Sequence, residues 1–197
     1  MNVRAQFDES YYQRYYLDAR TRVAEPHYFE DLAQFLGAYL KLLDVEVTRI
    51  LDIGCGLGLL HKALSKTFVA SSITGIEASE YAANRFGWQH CRIEDYENRD
   101  PFDVVICYDV VQYLDNKAAA AAIEKIAGLT KSALFFGVLT TEDWQDNCDQ
   151  SLTDGAVFQR KTTWYRNHLR QHFINAGGGL FVKKDANVTL YSLESCV

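Results

Sequence analysis

The chain has 197 residues and a mass of 22.4 kDa, the size of one ordinary domain. Hydrophobic residues make up 48% of the sequence and charged residues 23%, a balance that excludes disordered and fibrous proteins. The formal net charge of −6 argues against a surface built to bind nucleic-acid phosphates or an anionic membrane. We therefore expect one globular domain over 1–197, without nucleic-acid or membrane partners.

The cysteines and the start of the chain indicate a cellular compartment. The five cysteines show neither a CxxC pair nor zinc-site spacing, which favours reduced thiols and no structural metal. The first 25 residues lack the apolar core of a secretory signal, and no apolar run approaches the roughly 20 residues of a membrane span. These features predict a cytoplasmic protein.

The first 25 residues combine four tyrosines and four arginines with few aliphatic side chains. The spacing of Tyr12, Tyr15 and Tyr16 places them near one face of a helix. Behind Pro26, apolar residues at helical spacing predict an amphipathic helix over 28–43. We expect 1–45 to form a helical cap on a core at 46–197. The tyrosine-rich part is either a lid over a ligand or ordinary packing against the sheet.

Short apolar runs alternate with helix-compatible stretches through most of the remaining chain. Strands are expected at 49–53, 73–76, 88–93, 102–108 and 133–139, and helices at 58–68, 79–86 and 116–127. Continuous apolar strands that alternate with helices predict a parallel sheet covered on both faces. A helix at 162–176, a glycine break at 177–179 and an antiparallel pair of strands at 180–184 and 187–194 are expected to close the fold.

The strongest sequence signal is the glycine-rich turn LDIGCGLG at 51–58, directly behind the first strand. Glycines let the backbone turn sharply and let a ligand approach closely. A dinucleotide site requires GxGxxG, whereas this turn reads GxGxG and has Leu59 where the third glycine is needed. The acid Asp52, just before the turn, suits a ligand that carries a positive charge better than it suits a pyrophosphate.

The run from Asp52 to Gly58 resembles the first motif of class I S-adenosylmethionine-dependent methyltransferases. Three further regions extend the resemblance, in the order of that family, over 50–114. The second strand ends in Glu77, at the position of the family's acid that binds both ribose hydroxyls. The segment 91–96 resembles the family's loop after the third strand, and 102–114 resembles its fourth strand with the following turn.

The resemblance implies a doubly wound α/β fold with a seven-stranded, mostly parallel sheet in the order 3-2-1-4-5-7-6, with one antiparallel strand and an N-terminal helical cap. It implies S-adenosylmethionine as cofactor and S-adenosylhomocysteine as product. Arg92 stands where the family often has an aspartate for the adenine amino group, so adenine would rely on the backbone of Ile93 or on Glu94. The cofactor-binding residues expected in this way are Asp52, Gly54, Cys55, Gly56, Gly58, Glu77, Ala78, Arg92, Ile93, Glu94 and Tyr108, together with Tyr16 and Arg20 from the tyrosine-rich segment.

The implied reaction is an in-line transfer of the methyl group to a nucleophile, in which the protein positions the reactants and excludes water. No residue is singled out as a catalytic base. A small-molecule acceptor is favoured because 108–111 reads YDVV, without the Asn/Asp-Pro-Pro-Tyr motif of nucleic-acid amine methylation. The alternatives are a cofactor-binding module without transfer activity, a protein or peptide methyltransferase, and a nicotinamide-dependent oxidoreductase.

Two later regions are candidates for the acceptor site. The polar segment 140–161 is long for a loop inside a compact domain, and loops of this length are usually functional. We expect Glu142, Asp143 and Trp144 to contribute to the substrate wall. Trp164 and Tyr165 lie where the resembled family places substrate-facing residues, but they fit core packing equally well.

Overall fold

The computed structural model describes residues 7–191. Within them the strands are β1 (Arg49–Ile53), β2 (Ser72–Glu77), β3 (Gln89–His90), β4 (Phe102–Tyr108), β5 (Thr130–Gly137), β6 (Phe173–Gly177) and β7 (Leu180–Lys183). They form one seven-stranded sheet in the order β3-β2-β1-β4-β5-β7-β6. The expected strand order is confirmed. Strand β7 runs antiparallel to both of its neighbours, whereas β1 to β5 pair in parallel.

The helices connect the strands and cover the sheet. They are α1 (Glu9–Tyr12), which continues as a π-helical turn (Gln13–Leu17), α2 (Pro26–Leu42), α3 (Leu59–Thr67), α4 (Glu80–Phe86), α5 (Asn116–Leu129), α6 (Thr141–Asp146) and α7 (Thr162–Leu169). Asp115 caps α5 by accepting a hydrogen bond from the Ala118 backbone, as a residue at this position is expected to do. None of the helices in the described range has the length and apolar character that a membrane crossing requires.

Alternate residues of the central strands bury their side chains on opposite faces of the sheet. On one face, Ile50 and Val104 pack against Leu36 and Leu40 of α2 and against α3. On the other face, Leu51 and its neighbours pack against α5 and α7. Helix α2 is therefore part of the layer that covers the sheet, and the segment before it is the part that reaches the carboxyl edge of the strands.

The amino end of β4 is held by a buried carboxylate. Asp103 accepts hydrogen bonds from the Thr48 backbone and hydroxyl at 2.9 and 2.7 Å, from the Arg49 backbone at 3.0 Å and from Lys131 at 2.8 Å. Burial by itself raises the pKa of Asp103, but the hydrogen bonds from Lys131 and Thr48 outweigh it and lower the pKa to about 2. This carboxylate fastens the start of β1 to β4 and the start of β5.

The closing part of the chain differs from the sequence prediction. Helix α7 ends at Leu169, and residues 173–176, which the prediction included in a helix, belong to strand β6 (Phe173–Gly177). The glycines at 177–179 have φ values of +88°, +58° and +79° and make the hairpin turn between β6 and β7. Phe173 and Ile174 favour a strand, and the left-handed turn favours a tight hairpin. The predicted strand at 187–194 is wrong over 187–191, and its last residues lie outside the described range.

Candidate functional site

Three cavities lie at the carboxyl edge of the sheet, where doubly wound folds bind their ligands. Cavity A, of about 110 Å³, lies between the end of β2, the 91–94 segment and the 110–114 turn. Cavity B, of about 490 Å³, lies between the glycine turn and the start of α2. Cavity C, of about 270 Å³, lies beyond β4 and β5, toward α6 and the loop behind it. Tyr16 and Asp109 line all three, so the cavities meet at these two side chains.

The turn behind β1 requires its glycines. Gly54, Gly56 and Gly58 have φ values of +75°, +51° and +72°. A Cβ atom on Gly54 would lie 2.4 Å from the Val110 side chain, and one on Gly58 would lie 2.6 Å from the Trp88 ring. Gly54 and Gly56 line both cavity A and cavity B, whereas Gly58 begins α3 and packs beneath Trp88. The structure therefore brings the first two glycines to the cavities and gives the third a role in the turn.

Glu77 is a buried acid at the end of β2, and it lines cavity A. Its Oε2 accepts a hydrogen bond from the Gly56 backbone N–H and its Oε1 accepts one from the Ser79 backbone N–H, each at 2.7 Å. Burial raises the pKa of Glu77, and the hydrogen bonds from Ser79 and Gly56 oppose this rise. Because a carboxylate has about four acceptor positions, it can still accept bonds from a ligand with two hydroxyl groups.

Asp52 lies under cavity B beside an imidazole. Its Oδ2 is 3.1 Å from Nδ1 of His61, and the Trp88 ring packs on His61 with 4.6 Å between ring centroids. The Cys55 thiol donates to the Asp52 carbonyl at 3.3 Å, and burial raises its pKa, so it stays protonated. The possible metal-ligating atoms of Asp52, Cys55 and His61 lie within 4.8 Å of one another. Their hydrogen bonds account for this grouping, and Asp52 and Cys55 face cavity B as expected.

The far end of cavity A is formed by the residues after β2 and β3. Ala78, Arg92, Ile93 and Glu94 all line it, so the structure brings these expected residues together. Arg92 turns its guanidinium toward Glu94 in an ion pair of 3.0 Å. The side chain of Ile93 is buried, and a short 3-10 turn begins at this residue. This end of the cavity thus offers an apolar floor, backbone polar groups and one carboxylate.

The segment before α2 closes cavity A from above. Tyr12 is buried and stacks on Tyr81 with a centroid distance of 5.9 Å. The Ser79 hydroxyl donates to the Phe7 carbonyl at 2.6 Å, and the hydroxyls of Tyr11 and Tyr113 lie 2.9 Å apart. These contacts link the segment to α4 and to the turn after β4.

Tyr16, Tyr108 and Arg20 were also expected among the cofactor-binding residues. Tyr16 lines all three cavities, and Tyr108 lines A and B with its hydroxyl 2.7 Å from that of Tyr28. Arg20 is not brought to the cavities, because its side chain is 86% exposed and pairs with Asp18 at 2.7 Å. A local ion pair two residues away holds this guanidinium on the surface.

Asp109 lines all three cavities, although the sequence did not single it out as a candidate. It follows β4 directly and has a φ of +57°, a left-handed conformation that is uncommon outside glycine. Burial raises the pKa of Asp109 to about 6, against the opposing hydrogen bond from the Gln112 amide at 3.4 Å. Its position behind a continuous apolar strand, at the edge where ligands bind, is the signal that points to it in the sequence.

Part of the 140–161 segment lines cavity C. The beginning of this segment forms helix α6 rather than a structureless loop. A capping box between Thr140 and Asp143 begins this helix. Asp143 lines cavity C, but Glu142 accepts hydrogen bonds from the Thr162 backbone and hydroxyl at the start of α7. Trp144 packs against Gly155. Of the three expected wall residues, the structure brings only Asp143 to one of the cavities A, B and C.

Trp164 and Tyr165 belong to the packing around Arg160. The guanidinium of Arg160 lies 4.9 Å from the centroid of the Trp164 ring and donates to the Tyr165 hydroxyl at 3.0 Å. Tyr165 is buried, and Trp164 stacks on His168 with 4.0 Å between centroids. Neither aromatic residue lines cavity A, B or C, so the packing interpretation accounts for both.

A family model described as a methyltransferase domain matches residues 10–177. One curated relative, the ubiquinone biosynthesis O-methyltransferase of Rickettsia typhi, is 30% identical over 120 residues, which cover 50% of this chain and 49% of that protein. The chain thus matches about half the length of this relative.

Solved structures share the fold at low sequence identity. Magnesium protoporphyrin IX methyltransferase (ChlM) from Synechocystis PCC 6803, with bound SAH, aligns with a TM-score of 0.65 at 18% identity, over 92% of this chain and 98% of that chain. DesVI from Streptomyces venezuelae aligns with a TM-score of 0.59 at 15% identity, over 79% of this chain and 91% of that chain. These likenesses agree with the seven-stranded topology.

Proposed function

Because the chain belongs to the methyltransferase domain family, we propose that it transfers a methyl group from S-adenosylmethionine to a small-molecule acceptor, leaving S-adenosylhomocysteine. The observation that carries this proposal is the meeting of three cavities at Tyr16 and Asp109, beside a glycine turn that is hydrogen-bonded to a buried glutamate. The relatives named as O-methyltransferases support the reaction class.

The residues at the site fit this cofactor. Its sulfonium sulfur carries three carbon substituents, and three cavities diverge from one junction. Cavity A, with the Glu77 carboxylate, suits an adenosine whose ribose offers two hydroxyls. Cavity B, with the Asp52 carboxylate and the glycine turn, suits an amino-acid end that carries an ammonium group. Cavity C then remains for the acceptor.

Each group of residues has a distinct task in this proposal. Gly54 and Gly56 leave room for the ligand, and Glu77 and Asp52 bind its polar ends. Ala78, Ile93 and Glu94 contact the base, with Arg92 holding Glu94 in place. Tyr16, Tyr108 and Cys55 complete the walls of the cavities. Arg20 and Gly58 are not included among the contacts, since neither lines a cavity.

The cofactor supplies a methyl group that is already activated by the sulfonium charge. What remains for the protein is to orient the acceptor and to exclude water. Burial raises the pKa of Tyr11 and Tyr16 above the ordinary value, so their phenols stay neutral and keep the proton that a hydrogen-bond donor needs. Residues 7–17, held by the contacts of Phe7 with Ser79 and of Tyr11 with Tyr113, cover the site and favour exclusion of water.

We extend the proposal to the organisation of the chain. The whole chain acts as one domain, in which the cap at 1–45 completes the cofactor site on the core at 46–197. The protein works in the cytoplasm on a diffusible substrate, in keeping with its net charge of −6.

Calorimetric titration with S-adenosylmethionine, S-adenosylhomocysteine and NAD tests the cofactor. We expect one-site binding of the first two and none of NAD. Glu77→Ala should weaken binding by about 10- to 100-fold, the loss typical of a buried hydrogen-bonding partner. Glu80→Ala, an exposed acid in the next helix, is the matched control and should bind normally. Wild-type protein that binds neither sulfur compound would refute the proposal.

Transfer activity separates an enzyme from a cofactor-binding module. Release of S-adenosylhomocysteine is measured across a library of small acceptors and a peptide library. We expect turnover with members of the small-molecule set. Tight cofactor binding without turnover on either library would favour a regulatory or partner subunit, and turnover on peptides alone would favour a protein methyltransferase.

A further inference from the structure

The walls of cavity C combine aromatic rings with carboxylates. Its lining within residues 7–191 includes no lysine, arginine or histidine. Four tyrosines and three aspartates face it: Tyr11, Tyr15, Tyr16, Tyr113, Asp109, Asp143 and Asp154. Each carboxylate that loses water when a ligand binds costs free energy unless a positive charge pairs with it. Three carboxylates in one cavity therefore disfavour an anionic ligand or a neutral ring.

The three carboxylates differ in how far the protein already satisfies them. Asp143 accepts bonds from the Thr140 hydroxyl and from the Asn147 amide at 2.8 Å. Asp154 accepts one from the Ala156 backbone at 2.9 Å. Asp109 has a longer bond, 3.4 Å, from Gln112. Asp109 and Asp154 are therefore the two groups with most to gain from a cationic ligand.

The tyrosine rings strengthen the same preference. Tyr11 lies next to Tyr15 and Tyr16, with centroid distances of 5.0 and 6.3 Å. The faces of aromatic rings attract ammonium groups, and this attraction increases where water is excluded. Tyr113 lines the same cavity as Asp109 and Asp154. Burial raises the pKa of Tyr113, and the charges of these two carboxylates contribute to the rise.

We propose that the acceptor in cavity C is a small amine, which binds as its ammonium ion between the tyrosine rings and the carboxylates of Asp109 and Asp154. This inference rests on the proposed function, because it takes the methyl donor to lie at the junction of the cavities. Asp109 lines that junction and is the group that receives the proton. The relatives are named for O-methylation, so the inference sets this chain apart from them.

The chemical step follows from these positions. The ammonium N–H bond breaks, its proton passes to the Asp109 carboxylate, and the electron pair stays on nitrogen. The nitrogen then forms a bond to the methyl carbon while the carbon–sulfur bond breaks, and the methylated amine leaves with the positive charge. Asp109 releases its proton to water before the next turnover.

The test compares two ligands of nearly equal shape, benzylamine and benzyl alcohol, titrated into protein saturated with S-adenosylhomocysteine at pH 7. At this pH benzylamine is protonated. We expect benzylamine to bind at least about tenfold more tightly, since it gains a desolvated ion pair that the alcohol lacks. Equal binding, or preference for the alcohol, would overturn the inference.

Two substitutions locate the preference. Asp109→Asn and Asp154→Asn should each reduce it severalfold, because an amide keeps the shape but not the charge. Asp149→Asn is the matched control. Asp149 is exposed in the same loop, and its carboxylate accepts a hydrogen bond from the Ser151 backbone N–H just as that of Asp154 accepts one from the Ala156 backbone N–H. A preference that survives both cavity substitutions, or that is lost in the control, would contradict the inference.

The same titrations separate this inference from the proposed function. If S-adenosylhomocysteine binds but benzylamine has no advantage, the amine acceptor is wrong and the methyltransferase proposal stands. If S-adenosylhomocysteine itself does not bind, the proposed function fails and the amine acceptor fails with it.

Discussion

Strand β4 has an aspartate near its start and another directly after its end, and the two carboxyl groups lie in opposite environments. Asp103 accepts hydrogen bonds from Thr48, Arg49 and Lys131, and its pKa falls to about 2. Asp109 has a weak partner in Gln112, and burial raises its pKa to about 6. The same residue type is thus satisfied at one edge of the sheet and under-satisfied at the other.

This difference separates architecture from function. The amino edge uses its buried charge to fasten three strands together. The carboxyl edge keeps the partly buried acid Asp109, a left-handed backbone and three joined cavities, all of which cost stability. Groups with shifted pKa values and strained backbone gather at functional sites, so this comparison supports the proposal that the chemistry takes place beyond the end of β4.

The largest expected effect is at the glycine turn. Gly56→Val should weaken binding of S-adenosylhomocysteine by more than about 100-fold, since a branched side chain at φ +51° is strained and fills the junction of cavities A and B. Gly128→Val is the matched control, because a Cβ there meets open space. Calorimetry measures affinity and circular dichroism checks the fold. Normal binding by a folded Gly56→Val protein would place the ligand elsewhere.

The pH dependence of transfer should report Asp109. Below pH 6 the carboxylate is protonated and no longer accepts a proton, so the rate should fall about tenfold per pH unit. Four other titratable groups interact with this carboxyl: Tyr16, Tyr108, Tyr113 and Cys107. Burial raises the pKa of each of them, so they stay neutral between pH 5 and 8. A rate profile that is flat from pH 5 to 8 would exclude Asp109 from the step.

The two aspartates should affect stability with opposite signs. The folded pKa of Asp103 lies below its ordinary value of 3.8, so its contribution is present above that pH and is lost as the pH falls through about 2. The folded pKa of Asp109 lies above 3.8, so stability from this group is full below that pH and is lost as the pH rises through about 6.

At pH 7, Asp103→Asn should therefore lower the free energy of unfolding by about 1–3 kcal/mol, and Asp109→Asn should raise it by a similar amount. Urea denaturation measures both values. Asp103→Asn should leave binding of S-adenosylhomocysteine unchanged. Changes of the same sign in the two variants would contradict the contrast between the two ends of β4.

A smaller effect is expected from the hydroxyl contact above cavity A. Tyr11→Phe removes the bond to Tyr113 and should weaken S-adenosylhomocysteine binding about 2- to 10-fold, the net value of one hydrogen bond. Tyr39→Phe removes a hydroxyl bond to the Ala176 carbonyl, remote from the cavities, and serves as the control. Equal affinity in the wild type and Tyr11→Phe would show that the first segment closes the site through its rings alone.

The central sheet could be predicted from the sequence because its signals are local. Strands β1 and β4 have the predicted bounds, since continuous apolar runs with clear flanking residues identify buried strands. The glycine turn was predicted from its spacing and Glu77 from the family resemblance, and the structure joins them by a hydrogen bond from the Gly56 backbone. The resemblance supplied the strand order, which no local pattern contains.

Other features depend on contacts that the sequence does not display. Phe173 and Ile174 favour a strand but are tolerated in a helix, and pairing with β7 decides between the two. Arg20 carries the right charge for a carboxylate, but Asp18 captures it on the surface. The position of Asp109 behind an apolar strand is visible in the sequence, but its left-handed backbone, its partial burial and the three cavities that meet at it are visible only in the structure.

Amide hydrogen exchange with and without S-adenosylhomocysteine tests the central claim most directly. We expect the ligand to slow exchange at the carboxyl edge, in residues 7–17, in the turn at 54–58 and at 77–79. Exchange around Thr48, Asp103 and Lys131 at the amino edge should not change. Protection at the amino edge, or no protection anywhere at saturating ligand, would contradict the assignment of the cofactor site to the junction at Tyr16 and Asp109.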